Sequence, residues 1–280
     1  MADPISYLDT LVRCTFITRW FVRGVSMPRA YSRRTYLGVV GATGLAGIAG
    51  CTGDETDDAG TPTGPLAPPA GTSDDGIEDV TTLTDATREA LVANDYALES
   101  VVPIAESSSI TARIRSSRDD ERQLFVFDAP SETNRMYVAD GTRYVKSTST
   151  NETTYETMQV ESFTTVHEEN DQVQLLDGSE GLGGILRNGT YAPDETVTRN
   201  GRRLLRFNLT SATFGDDVTV TSSDGELFIS ADSIVFEAHL SATIEDNGTT
   251  NDISPSFIID ELGDVTVSEP DWVETAREQN

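Results

Sequence analysis

Apolar residues recur at every second position along most of the chain beyond residue 95, and at helical spacing in only a few windows. The first window opens at Thr82-Leu83-Thr84-Asp85, a hydroxyl followed by an acid three residues on, which predicts a helix start. Leu83, Ala86, Ala90 and Leu91 then share one face, and Asn94-Asp95 ends the helix. A strand over 96–101 follows, then one carrying Ile110, Ala112 and Ile114 on one face, with Asp119-Asp120-Glu121 as the turn. Residues 124–127 are apolar on both faces, which predicts a strand covered on both sides. Asp140-Gly141 joins strands 135–139 and 142–147 in a hairpin, and Asn200-Gly201 does the same within 196–207. A weaker strand is predicted over 155–163 and a helical or irregular segment over 173–186. Ser223-Asp224-Gly225 reads as the turn of a third hairpin, between 218–221 and 227–230.

The clearest strand is 234–244. Ile234, Phe236, Ala238, Leu240, Ala242 and Ile244 point one way; Val235, Glu237, His239, Ser241 and Thr243 point the other. Asn247-Gly248 turns the chain towards a strand around 257–259, and Pro270-Asp271-Trp272 opens a short final helix. About ten antiparallel strands with two or three helices predict a mainly β (α+β) fold: a large curved sheet or open half-barrel, capped on one face. Such a cap leaves a groove. Met136, Val138, Ile234, Phe236, Leu240, Phe257 and Ile259 are its candidate ligand-lining residues, and the same residues serve equally well as plain core.

The N-terminal part reads differently. Arg33 and Arg34 form a twin-arginine pair within Ser32-Arg33-Arg34-Thr35-Tyr36-Leu37. An uncharged run over 37–50 follows, shorter than the roughly 20 residues that span a bilayer, so it suits a signal peptide rather than a membrane helix. It ends at Ile48-Ala49-Gly50-Cys51, a lipobox whose thiol is the candidate lipidation site. Residues 1–26 suit a signal peptide poorly, and Met27 is the expected start; an extended targeting segment is the alternative. The expected organisation is signal peptide 27–50, lipidated Cys51 with an acidic tether over 51–77, and a β-rich domain over 78–280. The tether is rich in Pro, Gly, Thr and acids and lacks the apolar residues to fold.

Charge sharpens this picture. The chain holds 47 acidic and 20 basic residues, a net charge of −27. Six of the Arg and two of the Asp precede Cys51, leaving 45 acidic against 14 basic residues beyond it. Lys146 is the only lysine. In dilute buffer such a surface repels itself; in molar salt the Debye length falls to about 3 Å and the repulsion fades. The composition resembles that of proteins from salt-loving archaea, and it argues against nucleic acid as a partner. The two cysteines are Cys14 and Cys51, so the chain beyond the lipobox has no thiol for a disulfide, metal or nucleophile.

Candidate chemistry is sparse. His167, beside Glu168 and Glu169, and His239, on the polar side of its strand, are the only histidines and read as exposed. No G-x-S-x-G elbow or phosphate-binding glycine loop occurs, and no catalytic residue, metal site or cofactor is expected. Asn151, Asn188, Asn208 and Asn247 begin N-x-S/T sequons; Asn151 and Asn247 lie in predicted turns and are the favoured glycan acceptors.

Two hairpins, Met136-Tyr137-Val138-Ala139-Asp140-Gly141-Thr142-Arg143-Tyr144-Val145 and Val197-Thr198-Arg199-Asn200-Gly201-Arg202-Arg203-Leu204, together with Pro270-Asp271-Trp272-Val273, carry a resemblance. The chain resembles a family of haloarchaeal twin-arginine lipoproteins. Over about 78–278 the order of elements is similar to the outer-membrane-lipoprotein carrier and to mycobacterial lipid-binding lipoproteins. That resemblance implies a half-barrel binding a lipid or other hydrophobic molecule, anchored through Cys51 on the outer face of the cell membrane after export by the twin-arginine translocase. The alternative is a non-enzymatic surface interaction module with a filled core and no small ligand. Archaea of this type lack the second lipid membrane that the bacterial carriers serve.

Overall fold

The computed structural model describes residues 64–105, 108–169, 176, 181–215, 218–246 and 248–279. Met27, Arg33, Arg34, the lipobox with Cys51, and Asn247 lie outside the described residues.

Residues Pro65–Asn280 form one unit. It opens with a small hairpin, β1 (Thr72–Ser73) and β2 (Gly76–Ile77), followed by α1 (Val80–Ala93). Folded structure therefore begins near Pro65, within the span 51–77 that the sequence pattern assigned to a tether, rather than at residue 78. Two contacts pin this segment. Leu66 N–H donates to Thr196 Oγ1 at 2.8 Å, and Gly76, at φ +131°, lies so close to Tyr191 that a Cβ would sit 2.1 Å from its carbonyl oxygen. The N-cap of α1 is Asp79, which accepts from Thr81 N–H and Thr82 N–H, so the helix starts a turn earlier than Thr82. Its inward face is Leu83, Thr84, Thr87 and Leu91, with Thr87 where the sequence pattern pointed to Ala86 and Ala90.

Six strands then run as a meander: β3 (Tyr96–Ala105), β4 (Ser108–Ser117), β5 (Arg122–Ala129), β6 (Glu132–Ala139), β7 (Thr142–Ser149) and β8 (Thr153–Gln159). A crossover carrying α2 (Phe163–Glu169) and α3 (Leu182–Asn188) leads to β9 (Gly189–Arg199), β10 (Arg202–Ala212), β11 (Val218–Ile229) and β12 (Val235–Asp246). The chain closes with β13 (Thr249–Ile253), β14 (Ser256–Leu262) and α4 (Trp272–Glu278). The main sheet has 12 strands in the order β8-β7-β6-β5-β4-β3-β14-β12-β11-β10-β9, with β13 beside β12. All its pairings are antiparallel, and it does not close. β14 joins the two meanders, and the crossover links opposite edges.

The mainly β, open-sheet fold thus stands, with 12 strands where the pattern suggested about ten. Both hairpins signalled by Asp-Gly and Asn-Gly form. Asp140 and Gly141 have φ of 51° and 70°, Asn200 and Gly201 of 50° and 76°, as a type I′ turn requires. The third predicted hairpin does not form. β11 runs unbroken through Gly225, which pairs with Leu240 and lies so close to β12 that a Cβ would stand 2.4 Å from the His239 carbonyl oxygen. The turn lies later, where Ser233, at φ 65°, donates its N–H to the Ser230 carbonyl.

The sheet is covered on both faces. On the outer face the C-terminal segment and α4 lay Val265, Val267, Trp272, Val273 and Ala276 over Ala97, Tyr137, Ala139 and Tyr144, with Leu124 packed against them. Leu124 outside and Phe125 and Phe127 inside account for the strand that is apolar on both faces. The inner face lies under α1, α2 and α3.

Candidate functional site

Two regions are candidates: the inner face of the sheet and a polar cleft at its end. Residues directly opposite in adjacent strands share a face. Val145, Met136, Phe125, Ile114, Leu98 and Ile259 therefore form one row across β7, β6, β5, β4, β3 and β14. The next row runs Phe127, Ala112, Ser100, Phe257, Ala238, Leu227 and Phe207. Of the predicted lining residues, Met136, Val138, Phe236, Leu240, Phe257 and Ile259 are 3, 0, 6, 1, 0 and 2% exposed. They share a continuous apolar surface but lie in two groups, Met136 and Val138 on β6 and the others on β12 and β14. Ile234 is half-buried and precedes β12, in the turn where its N–H faces Ser230 Oγ at 3.2 Å. A bulge between Phe228 and Ile229 brings Val235 opposite Ile229 instead. Val235 is fully buried, and its N–H donates to Thr87 Oγ1 of α1 at 3.0 Å. The guanidinium of Arg202 lies 4.7 Å over the Phe236 ring.

One polar atom interrupts the apolar rows. Ser100 is 1% exposed, and its Oγ has no hydrogen-bond partner among the described residues.

The cleft lies elsewhere, at the end of the sheet beneath α2. It encloses about 410 Å³, and its lining includes Asp95, Arg118, Asp119, Phe163, His167 and Asp264. None of the predicted lining residues borders it. Asp95 is fixed: Arg118 N–H donates to Oδ1 at 2.7 Å and the Ser117 hydroxyl to Oδ2 at 3.0 Å. A guanidinium nitrogen of Arg118 donates to the Ala93 carbonyl at 2.7 Å.

His167 departs from expectation. It is not an exposed loop residue but lies on α2 at 1% exposure, with Nδ1 2.8 Å from Ser116 Oγ. Burial is the main cause that holds its imidazole below the ordinary histidine range, and the charge of Arg118 adds to it. Phe163, Val166 and His167 fall at i, i+3 and i+4 and are all buried, so the chain is helical from Phe163, and the strand expected over 155–163 ends at Gln159. His239 matches its reading: half-exposed on the outer face, 3.8 Å from Glu237. Among the described residues no group of His, Cys, Asp and Glu could hold a metal ion. Of the sequons, Asn151 is exposed in the turn between β7 and β8, and Asn188 is half-buried at the end of α3. Asn208 lies in β10 with Nδ2 donating to Asp194 at 2.9 Å.

No curated protein matches the sequence. A crystal structure of a domain from Vibrio parahaemolyticus, described as belonging to outer membrane lipoprotein sorting, is similar over 69% of this chain and 96% of that one. Its identity is 8% and its TM-score 0.15, too low to bear on function. A family model of unknown function, DUF7537, matches residues 33–276. That match takes in the sheet, α1 to α3, most of α4 and the twin-arginine pair, and the chain belongs to this family.

Proposed function

We propose that the protein is an exported lipoprotein of the cell surface. The twin-arginine translocase carries it folded, lipid joins it at Cys51, and the anchor holds the β unit on the outer face of the membrane. There it works by non-covalent binding rather than by catalysis. The observation that carries this reading is the ordered series of Arg33-Arg34, an uncharged run, and Ile48-Ala49-Gly50-Cys51, followed by a Pro- and Gly-rich acidic stretch. The absence of catalytic motifs supports a binding role. So does the seclusion of Ser116, the serine beside His167, which is fully buried.

Burial of six candidate lining residues favours the inner face as a filled core and the unit as a surface interaction module. A second reading, carriage of a lipid or other apolar molecule, is favoured by one observation. The unpartnered Ser100 hydroxyl stands in the middle of an apolar row, where the polar group of an enclosed molecule would satisfy it.

Mass spectrometry of protein purified from membranes in high salt tests both points. A mature chain beginning at Cys51 with added hydrocarbon mass is expected, and Cys51→Ser should move the protein into the medium. An unmodified N-terminus elsewhere overturns the anchor. Solvent extraction of the same preparation should yield no stoichiometric apolar molecule; recovery of one replaces the module with the carrier.

A further inference from the structure

A polar chain closes one end of the inner face, and it ends on a titratable ring. Gln123 and Ser116 lie opposite each other on β5 and β4, in the row that continues to Val138 and Tyr96. Gln123 Nε2 is 3.3 Å from Ser116 Oγ, Ser116 Oγ is 2.8 Å from His167 Nδ1, and His167 Nε2 is 3.2 Å from the Val92 carbonyl oxygen on α1. A carbonyl only accepts, so Nε2 carries the proton. Nδ1 then accepts from the Ser116 hydroxyl, which in turn accepts from the Gln123 amide. Each donor along this chain meets an acceptor only while the ring is neutral. A second proton on Nδ1 would confront the serine hydroxyl and leave its hydrogen to find another acceptor beside two aromatic rings. Tyr96 and Phe163 lie 5.4 and 5.9 Å away, centroid to centroid.

The charged surroundings do not compensate. Arg118, in the turn after β4, repels a cationic ring. Asp95, just before β3, attracts it, but both its oxygens are engaged by Ser117 and Arg118. Asp119, Glu121 and Asp264 line the neighbouring cleft, and Glu168 is exposed beside His167 on α2.

These bonds hold a strategic element. α2 is the first helix of the crossover between the two sheet edges, and through His167 it is tied at once to α1 and to β4. We propose that His167 is a pH-sensitive latch: neutral, it fastens the start of the crossover to the sheet, and protonated, it releases α2 and opens the cleft at the sheet's end. A histidine held neutral by burial stabilises the fold fully above its ordinary value near 6.5, and the contribution is lost as pH falls below that value.

Hydrogen exchange on the full chain in molar salt, at about pH 7.5 and about pH 5 and corrected for intrinsic rates, reads the latch directly. Protection of amides 163–169 should fall about tenfold or more at the lower pH while β5 and β6 keep theirs, and His167→Gln should abolish that difference. Equal protection at both pH values, or the same fall in the Gln variant, overturns the proposal. If that variant does not fold, an NMR titration of the His167 ring in the unaltered chain decides. A midpoint below the ordinary histidine value near 6.5 is expected, and one at or above it overturns the latch.

Discussion

Thr87 carries a junction that its residue type does not advertise. It is fully buried on α1, donates to the Leu83 carbonyl at 2.7 Å and accepts the Val235 N–H at 3.0 Å. The second bond joins the helix to the first residue of β12, next to the bulge that brings Val235 opposite Ile229. Thr87→Val keeps the volume and removes the acceptor, so it should cost about 1–3 kcal/mol, the usual penalty for orphaning a buried donor. Urea unfolding in molar salt would measure it; an unchanged midpoint would mean that Val235 N–H has another partner. At this scale the sequence was legible where a backbone conformation demands particular residues, as at Asp140-Gly141 and Asn200-Gly201. It was silent where tertiary contact decides. Nothing local marks Thr87 as the link to β12. The tight approach of Gly225 to β12 resembles a turn signal until the partner strand is known.

Among elements, α4 shows how little a short helix owes to itself. Its seven residues are too few to be stable alone, and it exists because Trp272, Val273 and Ala276 cover the outer face. Arg277 adds a double hydrogen bond to Glu269, at 2.7 and 2.8 Å, and lies 5.1 Å over the Tyr144 ring, but these groups are partly exposed. The balance predicts unequal outcomes. Trp272→Ala should destabilise the unit by about 3–5 kcal/mol through loss of buried surface. Arg277→Ala should cost far less, since solvent screens an exposed ion pair. Thermal unfolding of both variants in the same salt checks the ranking; equal losses would show that the ion pair, not the indole, docks the helix. Pro270-Asp271-Trp272 announced this helix, because an early Pro and a short polar residue are local signals. α2 was missed because Phe163, Val166 and His167 span only one turn, too short a window for a period to stand out from the strand before it. The inner face was legible as a set of alternating apolar residues. Whether it is groove or core was not, since periodicity gives the side of a strand and not what lies against it.

For the molecule as a whole, charge is the governing quantity. A net −27 on 280 residues leaves few compensating cations, and several of those are committed to cross-strand pairs such as Arg113 with Glu99 and Asp128. Screening must therefore come from the solvent. Stepwise dialysis from molar to millimolar salt should unfold the sheet cooperatively, followed by far-ultraviolet circular dichroism; a spectrum indifferent to salt would show that the acidic surface needs no such screening. The order of strands has its own consequence in the living cell. The first meander ends its pairing at β3 and the second at β12, and only β14 mates with both. A nascent chain on the ribosome therefore carries two unsatisfied strand edges until Leu262 has emerged and cleared the exit tunnel. The sheet is completed only when synthesis is nearly over, and any machinery that handles the growing polypeptide must shield those edges until then.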